Sequence, residues 1–336
     1  MDVGSRTLLK IRSALATAIA GLGVASVLAI SPAYAQNSEA YPSKPITVIN
    51  PWTAGGASDA IIRPLLQRMS DIWGQSVILE NRPGANGTIG ASLAARAQPD
   101  GYTLFFTHVG PMAISPALQS LRYDPINDFE PITQLVSGPL VLIARPNLNF
   151  KSVVDLLAYA RKHPDKLSYG SVGMGSTTHL AGELLAQLGN VKLLHVPYKG
   201  DSQIGTDMIG GDIDFAFVNI AAALALLKDK RVTALAVTTP KRSTSLPDLP
   251  TVAETLPTFE VNSWYGMAAP KGTPKLVIDK VYSTLDSILK EPETKTRLQK
   301  MGLDVEGSVP EAYAEKIKQD NERWAALVKS VGVTIK

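Results

Sequence analysis

The chain has 336 residues, of which 45% are hydrophobic, 19% charged and 6% aromatic, with a net charge of +3 and no Cys. With no Lys/Arg cluster and no basic stripe interleaved with aromatics, this balance excludes nucleic-acid binding driven by counterion release. The missing Cys exclude disulfides, thiolate metal sites and Cys nucleophiles together, and the length exceeds what one hydrophobic core organises, so two lobes are expected.

At the N-terminus, Arg6, Lys10 and Arg12 precede an apolar, Ala-rich run from about Ala14 to Ile30, followed by Ala33-Tyr34-Ala35. This is the pattern of a secretory signal peptide cleaved after Ala35, occupying residues 1–35. The run holds roughly 17 residues, against the ~20 of a retained membrane anchor, and no Cys follows it for lipid attachment. Cleavage removes one acid, Asp2, and three bases, which lowers the net charge from +3 to +1. No second long apolar run follows Ile30, so a periplasmic, soluble mature protein is expected.

From Ile46 onward short β-rich runs alternate with amphipathic stretches. The strand-like runs are Ile46 to Asn50, Ser76 to Leu79, Tyr102 to Thr107, Leu140 to Ala144, Leu167 to Ser171, Val191 to Val196, Asp214 to Val218 and Val232 to Val237. Several lack in/out alternation and read as parallel strands covered on both faces. Between them lie helices such as Ser152 to Lys162, with Val153, Leu156, Leu157 and Ala160 on one stripe, and Thr178 to Leu188. Alternation of this kind predicts an α/β class with doubly wound sheets. After Pro270 the pattern becomes helical: Pro274 to Leu289, Pro292 to Lys300 and Pro310 to Val331. Two apolar runs, Pro139 to Ala144 and Ser263 to Ala269, are placed to cross between lobes. The expected division is domain 1 at 41–141 plus 264–336, and domain 2 at 142–263.

Three loops carry candidate chemistry. The first, Pro51-Trp52-Thr53-Ala54-Gly55-Gly56-Ala57-Ser58-Asp59, joins a strand to a helix. Its Gly pair either lets backbone N–H groups converge on an anion at the helix N-terminus or makes only a tight turn, with Ser58 or Asp59 as helix cap. Pro64 cannot donate a backbone hydrogen bond and is expected to kink that helix. The second loop, Gly170 to His179, holds Gly173, Gly175, Ser176, Thr177 and Thr178. It is another anion cradle and lacks the third Gly of a dinucleotide fingerprint. In the third, Glu80 to Gly90, a Pro-Gly turn followed by Asn-Gly either lends Asn86 and Gly87 to the same mouth or makes only two consecutive turns.

No Gly-x-Ser-x-Gly elbow, His-Glu-x-x-His or phosphate-binding Gly-x4-Gly-Lys-Ser/Thr is present. Of the four His, His163 reads as a surface residue at a helix end, His195 as a satisfied core or edge residue, and His179 as a structural partner of the second cradle. His108, following a strand where an α/β crevice opens, is the candidate for ligand contact.

Taken in order, these loops resemble the Bug family, the extracytoplasmic solute receptors of tripartite tricarboxylate transporters. The further fragments that carry the resemblance are Pro99-Asp100-Gly101-Tyr102-Thr103-Leu104, Tyr123-Asp124-Pro125, Ser176-Thr177-Thr178-His179-Leu180-Ala181-Gly182-Glu183, His195-Val196-Pro197-Tyr198-Lys199-Gly200 and Leu249-Pro250-Thr251-Val252-Ala253-Glu254. The resemblance spans Tyr41 to about Val333. It implies a two-lobe periplasmic-binding-protein fold, type II-like, that clasps a small carboxylate between its strand-to-helix loops without a cofactor or metal and without converting it. Carried over by position, it implies ligand contacts from Trp52, Thr53, Ala54, Gly55, Gly56, Ala57 and Ser58, from Gly173, Ser176, Thr177 and Thr178, and from Asn86 and Asn219. Its partners would be the membrane subunits of such a transporter, or a sensor protein in a signalling system, with the receptor itself monomeric. Val218 stands where many relatives carry Asp, which points away from amino acids and toward di-, tri- or aromatic carboxylates. An exported hydrolase using Ser171 or Ser176 with His179 is the rival reading; it lacks an evident third orienting group.

Overall fold

A computed structural model describes residues 41–333. The signal segment and its cleavage site lie outside these residues. Strand β1 (Ile46–Asn50) leads into α1 (Ala57–Trp73), which returns the chain to β2 (Val77–Asn81), and α2 (Thr88–Ala95) leads to β3 (Thr103–His108). Both β2 and β3 pair with β1 in parallel, Ile46 against Val77 and Thr47 against Thr103. Helix α1 covers this sheet with Ile61, Ile62, Leu65, Leu66 and Met69, all fully or almost fully buried. Each contributes ~1.5–3 kcal/mol relative to exposure. The helix ends at Gly74, whose left-handed φ of 64° lets its N–H cap the carbonyl of Ser70. It also continues through Pro64; the proline only deprives the carbonyl of Ala60 of its usual partner.

After a short α3 (Ser115–Leu118), β4 (Phe129–Ala144) runs for 16 residues, three times the length expected from the apolar run at its end. Its first part is disguised by Pro131, Ser137, Gly138 and Pro139, and the ladder accommodates the irregularity with register shifts near Pro131 and Gln134. The second lobe follows: α4 (Val153–Lys162), β5 (Ser168–Ser171), α5 (Thr177–Gly189), β6 (Leu194–Pro197), α6 (Asp201–Gly210), β7 (Phe215–Asn219), α7 (Ile220–Lys228) and β8 (Thr233–Val237). Here β5 pairs in parallel with β6 and β7. The helix stripe Val153, Leu156, Leu157 and Ala160 is the buried face of α4, and Ser152 caps it by accepting from the N–H of Asp155.

The chain returns through β9 (Asn262–Pro270), which lies antiparallel between β3 and β4. Helices α8 (Lys275–Lys290) and α9 (Pro292–Lys300), strand β10 (Asp304–Val305) and α10 (Pro310–Val331) complete the fold. Helix α10 is tied to β9 by a 2.6 Å hydrogen bond from Trp264 Nε1 to buried Asp320. The sheets are mixed: β4 pairs antiparallel with β9 and β10, and with β7 and β8. The runs Leu140 to Ala144 and Val232 to Val237 are thus not parallel strands. Missing alternation reports burial on both faces, and strand direction is a separate property.

Candidate ligand-binding cleft

At the end of β1, Asn50 is fully buried and donates its amide to Asp59 Oδ1 at 2.8 Å and to Ser58 Oγ at 3.2 Å. Asp59 does not cap α1. The N-cap is Gly56, with no side-chain cap at all, and the Asp59 carboxylate instead turns back to gather the loop. It accepts from the N–H of Gly55 at 3.0 Å, Asn81 Nδ2 at 2.8 Å and Arg63 Nε at 2.9 Å. Burial alone would raise its pKa, but these bonds outweigh it and hold the carboxyl below its ordinary range. The acid next to the cradle is thus internally matched, and the first-turn N–H groups of α1 stay free of a side-chain cap.

The second loop is turned by Gly173 (φ 114°) and Gly175 (φ 71°), both left-handed. Ser176 caps α5 by accepting from the N–H of His179, Thr178 Oγ1 accepts from the N–H of Val172 at 2.9 Å, and His179 Nδ1 accepts from the N–H of Gly175 at 3.1 Å. His179 therefore shapes the cradle, as read from its position. Its ring lies 4.1 Å from that of His195, whose Nε2 meets Ser171 Oγ at 2.6 Å. Burial lowers the pKa of both His to about 4.

The two loops face one cavity of roughly 480 Å³. Trp52 to Ser58 line it from the first lobe together with Asn86 and His108, and Ser176, Thr177, Thr178 and Asn219 line it from the second. Gly173 does not; its carbonyl accepts from the N–H of Ser176 and from Ser171 Oγ, so it builds the turn behind the cradle. His108 reaches the cavity with both nitrogens engaged: Nδ1 accepts from the N–H of Gly110 at 3.1 Å and Nε2 meets Ser263 Oγ at 3.1 Å. Burial lowers its pKa to about 3, so it is a neutral ring packed against Trp52 and Tyr265 rather than a cationic anchor.

Residues missed by sequence reading also line the cavity: Val172, Lys199, Gly200, Asp201, Ala222 and Tyr265. Lys199 and Gly200 lie in a fragment that carries the family resemblance, and Tyr265 lies in a run read only as a crossing. Asp201 had no signal beyond following a Gly. Val218, by contrast, is fully buried in β7 opposite Val141 and outside the lining, so its lack of charge does not describe the cleft. Among the described residues, no group of three or more His, Asp or Glu is placed to hold a metal ion.

A family model described as "Tripartite tricarboxylate transporter family receptor" matches residues 61–333. The chain belongs to this family. Solved structures agree with the assignment. The receptor is 38% identical to the periplasmic binding protein BugD, with a TM-score of 0.80, covering 88% of this chain and all of that one. It is 33% identical to Rpa4515 of R. palustris, solved with adipate, with a TM-score of 0.82 over 88% of this chain and 99% of the other. It is 31% identical to MatC of Rhodopseudomonas palustris, solved with malate, with a TM-score of 0.79 over 86% and 100%. The Bug-type resemblance and the two-lobe periplasmic-binding-protein fold are borne out by these likenesses.

Proposed function

We propose that this receptor captures a small carboxylate in the cleft and delivers it, chemically unchanged, to the membrane subunits of a tripartite tricarboxylate transporter. One observation carries the reading: two uncapped or backbone-rich strand-to-helix loops, one from each lobe, open on a single cavity. Helix N-termini of this kind favour anions. The relatives solved with adipate and malate support a dicarboxylate or related acid. Micromolar affinity corresponds to about −8 kcal/mol, within reach of four or five charge-assisted hydrogen bonds at ~1.5–3 kcal/mol each before association costs.

The lobes of the proposal are residues 41–141 plus 264–336 and residues 142–263, closing about the two crossings. The change of partners along β4, from β9 up to Pro139 to β7 at Leu140, supports a hinge there. Export with cleavage after Ala35 fits a periplasmic site of action. A non-enzymatic role is supported by the state of the Ser and His groups. Ser171, which pairs with His195 and not with His179, is fully buried and outside the cavity lining, while the Ser176 hydroxyl is committed to capping α5.

The test is a thermal-shift screen of the purified protein against citrate, C4 to C6 dicarboxylates, acidic amino acids and aromatic carboxylates, with product analysis of each positive. Stabilisation without turnover is the expected result. Absence of any shift, or conversion of a bound acid, would sink the reading.

A further inference from the structure

Two polar atoms at the cleft are left unmatched by the protein. The donor Trp52 Nε1, on the first lobe, and the acceptor Asp201 Oδ1, on the second, are both buried without a hydrogen-bond partner, and both residues line the same cavity. Asp201 is held in place from one side only: its Oδ2 accepts from Asn219 Nδ2 at 2.8 Å. Among the described residues it forms no ion pair. Resting on the reading of the cleft as a carboxylate site, we infer that Asp201 is its specificity-determining residue, accepting a hydrogen bond from a hydroxyl or ammonium group of the ligand and so selecting hydroxy- or amino-substituted carboxylates over their unsubstituted parents.

A buried acceptor with no partner is unfavourable, and a buried charged one more so. A ligand donor satisfies it, whereas an unsubstituted chain leaves it stripped of water and unpaired. Discrimination by such a group exceeds what a methylene contact gives. Burial, opposed only by bonds from Asn219, raises the pKa of Asp201, as expected for an acid short of a counter-group. The cleft is thereby polarised. Uncapped N–H groups and Trp52 Nε1 suit the ligand's carboxylate, and Asp201 suits a donor elsewhere on the same molecule.

The experiment is isothermal titration with pairs that differ in one group: succinate against malate and aspartate, and benzoate against 4-hydroxybenzoate. In the pair that binds, the donor-bearing acid is expected to bind about tenfold or more tightly than its parent. Asp201→Ala should bring the two within about threefold, chiefly by weakening the donor-bearing acid. Asp201→Asn, nearly isosteric and checked for folding by circular dichroism, should lose the preference for an ammonium group and keep part of that for a hydroxyl. Equal affinities in the unmodified protein, or a preference that survives both substitutions, would overturn the assignment while leaving the carboxylate reading intact. Failure of all these acids and of citrate to bind would overturn the carboxylate reading and the assignment with it.

Discussion

The side-chain amide of Asn86 donates a 3.0 Å hydrogen bond to the carbonyl of Gly175, joining the third loop of the first lobe to the glycine turn of the second. Asn86 holds a left-handed backbone (φ 53°, ψ 34°), which Asn tolerates better than most residues. The bond runs directly across the mouth of the cleft. Replacing Asn86 by Ala removes a contact worth ~0.5–1.5 kcal/mol and should weaken ligand binding about 2- to 12-fold. Asn86→Asp, which sets an acceptor against an acceptor, should weaken it further. Titration calorimetry with folding checked by circular dichroism decides; unchanged affinity in both variants would separate this link from ligand capture.

Gly56 offers a cleaner test of the first cradle. Its φ is −83°, and an added Cβ would meet only the carbonyl oxygen of Thr53 at 3.6 Å. Gly56→Leu is therefore expected to fold with a Tm near that of the unmodified protein while filling the cavity beside the α1 N-terminus. Ligand-induced stabilisation should disappear. A full thermal shift in this variant would place the anion elsewhere.

Asp59 is expected to govern stability before it governs binding. Asp59→Ala leaves Asn50, Asn81 and the N–H of Gly55 without their shared acceptor, at a cost on the order of 1.5–3 kcal/mol for hydrogen bonds made to a charged group. The variant should show a Tm lower by about 3–12 °C on the usual scale of ~2–4 °C per kcal/mol. A change of only a degree or two would mean that the four bonds do not hold the loop.

Acid should loosen the fold before ordinary carboxylate titration begins. His108, His179 and His195 have pKa values pushed down to about 3, 4 and 4 by burial, against ~6.5 in an unfolded chain. Between those limits the unfolded state binds more protons, so stability falls as pH drops from about 6.5 toward 4. Asp59, whose folded pKa is lowered, adds a loss in the same direction below about pH 4. Unfolding curves from pH 7.5 to 4.5 should show a steady fall in Tm, and His108→Gln should flatten it. A pH-independent Tm over that range would contradict the burial of these rings.

How far the site was legible follows from which interactions are local. The two Gly-rich loops and the helix stripes are written in contiguous residues, so Trp52 to Ser58 and Ser176 to Thr178 could be named from sequence. Gly173 and Gly175 both turn the loop, and only the fold decides that neither of them lines the cavity. Asp201 and Tyr265 reach the cavity through tertiary placement alone: one opens α6, the other sits mid-strand opposite His108. Asp59 misled because an acid at a helix start usually caps it, and here three partners from β1, β2 and its own helix outbid that role. Strand β4 was half hidden because Pro131 at a bulge, and Gly138 and Pro139 further along, mimic loop punctuation.

The insertion of β9 between β3 and β4 sets the order in which this molecule can be assembled. More than 150 residues separate Phe105 from its neighbour Ala268, so the first sheet remains split until the chain has been made past Pro270. Long-range closure of this kind is slow. The second lobe, whose strands β5 to β8 all precede β9, is free of this constraint, whereas the first lobe stays incomplete until the last quarter of the chain is available. Loss of the final segment would damage the beginning of the protein rather than its end.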